Sequence, residues 1–262
     1  MGDVRVATWN LLHGRSLASG EVDEADLRVG AAMLDADIIA LQEVDRHQAR
    51  SGHTHQTSAV ADASGATWSQ FVPAVWGEPG AQWQPVLPTD IDDGERAAYG
   101  IGLVTRLPVL ESTVLRFSPA PVKMPLLVPG QGVVSVADEP RVAISAHLDG
   151  PAGPFTVVAT HLSFVPGFNV RQLRELVAWA ASMPAPRLLL GDLNMPGRLS
   201  GWVSGWTQLA RVATYPSWKP RVQFDHVLGD GISPAQVSDV ESRRLPVSDH
   251  SALSLTLALG NR

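Results

Sequence analysis

The stretch Pro186-Arg187-Leu188-Leu189-Leu190-Gly191-Asp192-Leu193-Asn194 decides the fold. Three consecutive leucines, after a helical pattern and before a glycine, read as a short strand buried on both faces, each side chain contributing about 1.5–3 kcal/mol on burial. Strands of that kind belong to α/β proteins, and open α/β sheets bind their ligands at the carboxyl ends of their strands. There Asp192 and Asn194 stand two residues apart, a spacing that sends both side chains to the same side of a strand. A carboxylate and a carboxamide held side by side can orient a water and a phosphoryl oxygen together, the acid accepting a proton and the amide donating hydrogen bonds. Gly, Asp and Asn are also turn residues, so the same string suits a plain exit from a strand.

Upstream of this strand, Val170 to Ser182 is apolar at helical spacing through Leu173, Leu176, Val177 and Ala180, and Pro184 and Pro186 end it. Before that helix, Arg141 to Leu148 and Pro154 to Leu162 flank Asp149-Gly150-Pro151-Ala152-Gly153, a hairpin whose second strand ends at Thr160-His161-Leu162. At the amino end, Val4 to Trp9 reads as a core strand closed by Asn10. Glu21 to Asp35 follows as a helix with Asp23, Glu24 and Asp26 at its start, and Ile38 to Leu41 as a buried strand ending in Gln42-Glu43-Val44-Asp45. Gln56 to Ser64 predicts a short helix. Tyr99 to Arg106 predicts a core strand, with Val109 to Phe117 as its neighbour beyond Pro108, and Gly132 to Val136 a further strand. Phe71 to Glu95, with Pro73, Pro79, Pro85 and Pro88, lacks a period and reads as a long excursion over the surface in which Trp76 and Trp83 serve as anchors. Downstream, Val222 to Leu228 is a strand interrupted by Asp225-His226, and Ser251 to Leu257 an alternating, half-buried closing strand preceded by Ser248-Asp249-His250.

Composition narrows the function. The 262 residues suffice for a sizeable α/β core, and 26 acids against 20 bases give a formal net charge of −6. Only two of the bases, Lys123 and Lys219, are lysines, so no strong electrostatic grip on nucleic acid is advertised. The absence of cysteine removes disulfides, thiolate metal sites and cysteine nucleophiles. No apolar run approaches the ~18 residues of a membrane span, and the first residues show no charged-then-apolar leader, which predicts a cytoplasmic protein.

Asn10, Glu43, His161, Asp192, Asn194, Asp225, Asp249 and His250 thus gather at strand ends. Several converging carboxylates repel one another unless a cation joins them, so a metal is the simplest explanation of the cluster. In order and spacing, Thr8-Trp9-Asn10, Leu41-Gln42-Glu43-Val44-Asp45, Thr160-His161-Leu162, Gly191-Asp192-Leu193-Asn194, Phe224-Asp225-His226-Val227 and Ser248-Asp249-His250 resemble the endonuclease/exonuclease/phosphatase superfamily of DNase I-like, metal-dependent phosphohydrolases. The likeness runs from residue 4 to about residue 257, and implies a single catalytic domain over residues 1–262. The fold it implies is a four-layer α/β sandwich, two packed mixed sheets flanked by helices. It also implies that Glu43 is the principal ligand of magnesium or manganese, with Asn10 and Asp249 close to the ion. By the same resemblance Asp192 orients or deprotonates the attacking water, and Asn194 and His161 hold the phosphate. Asp225 fixes the tautomer of His250, whose protonated ring stabilises the charge that develops.

Some nuclease branches carry a further acid where this chain has Leu12. His13 lies beside it, within reach of an ion or substrate, although loop histidines are commonly just solvated. His47, His53 and His55 form a histidine-rich loop with only a weak likeness to a zinc site, and His147 mimics the His161 motif at what the hairpin turn makes the opposite end. The substrate expected from the scattered Arg46, Arg50, Arg198, Arg221, Arg243 and Arg244 is a small phosphorylated molecule or lipid head group. Nuclease action on DNA or RNA is the runner-up. A non-catalytic phosphate-binding module is the third reading, disfavoured because unpaired buried acids cost stability.

Overall fold

The computed structural model describes residues 2–87, 89–128 and 132–260, so Pro88 of the proline-rich stretch lies outside the described residues. Two sheets carry the architecture. The first has seven strands in the order β14 (Val237–Arg243), β15 (Ala252–Leu257), β1 (Val4–Asn10), β2 (Ile38–Arg46), β5 (Ala98–Thr105), β3 (Trp68–Gly77) and β4 (Trp83–Pro85). The second has six, in the order β12 (Thr207–Gln208), β13 (Asp225–Asp230), β11 (Arg187–Asp192), β10 (Gly153–His161), β9 (Arg141–Gly150) and β6 (Val109–Phe117). A separate two-stranded ribbon pairs β7 (Lys123–Val128) with β8 (Gly132–Ala137). Both large sheets are mixed: β1 runs parallel to β2 and β10 parallel to β11, whereas the other pairs are antiparallel.

The leucine run shows how the layers stack. Leu188 and Leu190 point between the sheets, where Val6, Ile38, Leu103, Ile144, Val157 and Leu255 meet them in one buried cluster. Leu189 points the other way, to Val158, Leu173 and Leu176 beneath α3 (Phe168–Ala180). On the far side, α1 (Glu24–Leu34) and α2 (Gln56–Ser64) cover Trp9, Ile39 and Leu41. The result is helix, sheet, sheet, helix. Each sheet holds one unit of strand, connection and parallel strand, β1-α1-β2 and β10-α3-β11, and such connections bring the carboxyl ends of the paired strands to the same edge. Among the described residues no helix is long and apolar enough to cross a membrane.

Three expectations need correction. Phe71 to Gly77 is no excursion but most of β3, paired with β5 through Phe71↔Gly102 and Val75↔Tyr99. Pro73 is tolerated there because the register shifts between Pro73 and Val75, and because Gly100 opposite lacks a Cβ, which would stand 2.0 Å from the Val72 carbonyl oxygen. The chain leaves the sheet only after Gly77, and Trp76 anchors the departing segment by donating from Nε1 to Asp90 at 2.8 Å. Val109–Phe117 does not neighbour β5; the chain crosses at Pro108 to the other sheet, where β6 pairs with β9. Finally, the strand read over Val222 to Leu228 begins at Asp225, so its two polar residues stand at its start.

Candidate active site

The floor of the site is built where β1 meets β11 across the sandwich. Asn10, fully buried, donates from Nδ2 to Glu43 Oε1 at 2.9 Å and to Asp192 Oδ2 at 3.0 Å, while its Oδ1 accepts from the Leu12 amide at 3.0 Å. Asn10 therefore presents donors to two acids and turns its oxygen to the backbone, which makes it a bridge between the sheets. Glu43 reaches this position through a β-bulge: Leu41 pairs with Gly102 and Val44 with Gly100, leaving Gln42 and Glu43 opposite one residue, with Glu43 at φ 53°. A left-handed residue that is not glycine is strained, and strain of this kind collects at functional sites. Burial, then the charge of Asp249, pushes the Glu43 carboxyl up to about 7. Asp249 lies in the turn before β15, and burial raises its carboxyl as well.

From the second sheet, Asp192 ends β11 beside His161, its neighbour in the parallel register. Its Oδ1 accepts from the Asn194 amide at 2.9 Å, and its Oδ2 lies 3.7 Å from His161 Nε2 and 3.9 Å from His250 Nε2. Burial raises the Asp192 carboxyl, partly offset by His250. Asn194 is left-handed at φ 51° and donates from Nδ2 to the Leu162 carbonyl at 3.0 Å, 3.3 Å from His161 Nε2. Its side chain is thus placed by this turn rather than by strand alternation. His250 donates from Nδ1 to Asp225 Oδ2 at 2.8 Å, and the Tyr215 ring packs over it at 4.9 Å between centroids. Although burial works against the charge, Asp225 above all, with Asp192 and Asp249, pushes His250 up to about 10.

Two questions of ligation arise here. Asp192, Asp225 and His250 lie within 4.8 Å of one another, the spacing of a metal site. In that group the imidazole already lies between the acids, its Nδ1 committed to Asp225 Oδ2, while Asp225 Oδ1 is buried without a partner among the described residues. Glu43 and Asp249 line the cavity with carboxyls that burial pushes up and the nearby His250 only partly offsets, and their hard oxygens suit magnesium or manganese. The donor set fits a divalent ion. The histidine-rich loop does not form a second site: His55 caps α2 by accepting the Ser58 amide on Nδ1, and the Nδ1 atoms of His47 and His53 bond each other's backbone carbonyls. His147 lies at the far end of the hairpin, paired with Thr156.

All eight expected residues lie in or directly behind one region. Glu43, His161, Asp192, Asn194, Asp249 and His250 line a cavity of about 760 Å³; Asn10 and Asp225 are buried behind it. Of the arginines singled out from sequence, only Arg50 lines it, held by Asp45 through bonds of 2.8 and 2.7 Å. Arg46 instead pairs with Asp92. The cation that sequence reasoning missed is Arg141, 5 % exposed, whose Nη1 sits astride the His161 ring, 3.0 Å from Nδ1 and 3.4 Å from Nε2. Burial opposes its charge, yet Glu139 and Asp138 beside it hold it protonated. His161 answers by staying neutral, its pKa lowered by burial and by Arg141. The hairpin places β9 and β10 side by side, but its register ends at Thr160↔Ala143, and the contact of Arg141 with His161 is a tertiary one. Tyr99 and Tyr215, also missed, line the same cavity.

The sequence matches the model of the endonuclease/exonuclease/phosphatase family over residues 7–250. Among curated proteins none matches in sequence. Among solved structures, an endonuclease/exonuclease/phosphatase from Beutenbergia cavernae is similar over 100 % of this chain and 72 % of its own, with 22 % identity and a TM-score of 0.68. A mannosyl-6-phosphatase from Bacteroides thetaiotaomicron is similar over 98 % of this chain and 100 % of its own, with 17 % identity and a TM-score of 0.62. Sphingomyelinase C from Streptomyces griseocarneus covers the same shares at 15 % identity and a TM-score of 0.62. At these identities the likeness is one of fold.

Proposed function

Since the chain belongs to the endonuclease/exonuclease/phosphatase family, and is a hydrolase of phosphoesters, we propose that it acts on a small phosphorylated molecule or a lipid head group, with magnesium or manganese as the metal. The observation that carries this reading is the bridge of Asn10 to both Glu43 and Asp192 on the floor of one cavity, which binds a would-be metal ligand and a would-be base into one unit.

Glu43 and Asp249 would hold the ion, with Asn10 against Glu43. A bound divalent ion neutralises charge on the phosphoryl group and on the departing oxygen. Asp192, fixed on both oxygens by Asn10 and the Asn194 amide, orients the attacking water and takes its proton. The Asn194 side-chain carboxamide and the neutral His161 ring, steadied by Arg141, hold phosphoryl oxygens. His250, protonated and braced by Asp225, faces Asp192 and stabilises the negative charge that develops. A small substrate is supported by the charges around the cavity: Arg50 and Arg141 each have acidic partners, and neither lysine lines it. Two structures alike in fold are named mannosyl-6-phosphatase and sphingomyelinase C, so the fold is compatible with such substrates.

The test is hydrolysis of a panel holding a chromogenic phosphomonoester and phosphodiester, inositol phosphates, sphingomyelin, plasmid DNA and RNA, with magnesium or manganese and with chelator. Turnover should require the metal, and Asp192→Asn should lower it about 10²–10⁴-fold while the fold persists. Near-normal rates in Asp192→Asn would remove that residue from its role. Cleavage confined to DNA or RNA would establish the nuclease reading, and metal binding with no turnover the binding-module reading.

A further inference from the structure

The reaction cavity does not end at the acids. His13 and Arg50 also line a second cavity of about 550 Å³, whose other walls include Arg15, Glu21 and Glu78. Both shared residues come from the first sheet's side of the molecule: His13 from the turn after β1, Arg50 from the short helical turn after β2. The turn at His13 is held firmly. Leu12, His13 and Gly14 are successively left-handed, at φ 46°, 47° and 79°. The Leu12 amide is bonded to Asn10, and the His13 carbonyl accepts from Gln56 Nε2 at 2.7 Å.

The chemistry of this second cavity differs from that of the first. Two guanidinium groups supply donors, two carboxylates supply acceptors, and the imidazole of His13 is neutral, its pKa lowered to about 3 by burial, Arg50 and Arg15. Among the described residues the exposed Arg15 side chain bonds only the Gly20 carbonyl, through Nε, and its Nη atoms and the exposed Glu21 carboxylate make no hydrogen bond or ion pair; Glu78 stands 3.8 Å from Arg50 Nη1. A polyanion would meet Glu21 and Glu78, and an apolar chain would have to strip water from four charges. Vicinal hydroxyl groups, which donate and accept at once, match guanidinium and carboxylate together. In-line displacement also puts the leaving group on the side away from the attacking water. With the water at Asp192, which ends β11 of the second sheet, this arrangement turns the departing oxygen toward the loops of the first sheet.

We propose that this second cavity is a subsite for a polyhydroxylated leaving group, so that the substrate is a phosphate ester of a sugar or polyol. The proposal rests on the reading of the first cavity as the phosphoester site. It is tested with the full chain and magnesium by measuring kcat/KM for 4-nitrophenyl phosphate, ethyl phosphate, glycerol 3-phosphate, glucose 6-phosphate and myo-inositol 1-phosphate, in the wild type and in Arg15→Gln and Glu21→Gln. The expected result is a preference of tenfold or more for at least one polyol ester over ethyl phosphate. Each variant should lower that ratio about tenfold, chiefly through KM, as the loss of one hydrogen bond to a charged group implies. Turnover of the chromogenic ester with no polyol preference, or a ratio indifferent to both substitutions, would overturn the subsite alone. Loss of chromogenic turnover as well would overturn both readings.

Discussion

At Asn10 one carboxamide nitrogen serves two carboxylates drawn from different sheets, and its oxygen is spent on the Leu12 amide. Hydrogen bonds to charged groups contribute about 1.5–3 kcal/mol each, and buried acids left without a donor cost their desolvation. Asn10→Ala should therefore lower the urea midpoint in chelator by an amount equivalent to at least about 1.5 kcal/mol, and lower turnover as well. An unchanged midpoint would show that Glu43 and Asp192 do not depend on the bridge. The residues of the site divide by how far they could be read in advance. Asn10, His161 and Asp192 end strands and Asp225 begins one, Glu43 interrupts the apolar run of β2 and His250 stands just before β15, and a polar residue in such a place announces itself. Arg141 does not, because what keeps it buried is Asp138 and Glu139 just before it and His161 across the hairpin, a pairing that exists only in three dimensions.

Elements carry their own reasons. Trp9, in the middle of the first motif, serves packing alone. Among the described residues its buried Nε1 has no partner, and its ring lies under α1, where a Cβ added to Gly30 would stand 2.5 Å from it. The tryptophan pins the end of β1, and hence Asn10, beneath the helix. Gly→Ala in a helix interior gains about 1 kcal/mol of propensity, but overpacking a filled core costs about 1–3 kcal/mol. Gly30→Ala should thus be net destabilising, and Trp9→Phe should relieve it, giving a coupling of at least about 0.5 kcal/mol in a double-mutant cycle followed by urea denaturation. Strictly additive effects would contradict the contact. α2 lies where a short helix is expected before Gly65, and periodicity located α1 and α3 within a few residues, since their buried faces repeat at helical spacing. It failed at β3, where Pro73 masks a strand made possible by Gly100 on its partner, and at the Glu43 bulge, whose left-handed backbone leaves no mark on hydrophobic pattern.

On the scale of the whole molecule, the site belongs to neither sheet. β1 and β2 deliver Asn10 and Glu43, β10 and β11 deliver His161 and Asp192, and the loop before β15 delivers Asp249 and His250. That the leucine strand is covered on both faces was legible in its pattern, and the four layers were implied only by the resemblance of the motifs; the meeting of the two parallel pairs across the sandwich is set by sheet packing, which no local pattern encodes. A site assembled in this way exists only in the folded chain, so a cation that satisfies Glu43 and Asp249 must bind the native state in preference to the unfolded one. A ligand at a hundredfold its dissociation constant stabilises by about 2.7 kcal/mol, which for a chain of this size corresponds to a rise in melting temperature of about 5–10 °C. Magnesium or manganese should produce that rise in the wild type, and Glu43→Gln should suppress it. In chelator the sign reverses: Glu43→Gln removes a buried carboxylate that Asp249 repels, so the variant should melt no lower than the wild type. A variant that melts lower in chelator yet still responds to metal would place the ion elsewhere and leave Glu43 as a structural acid.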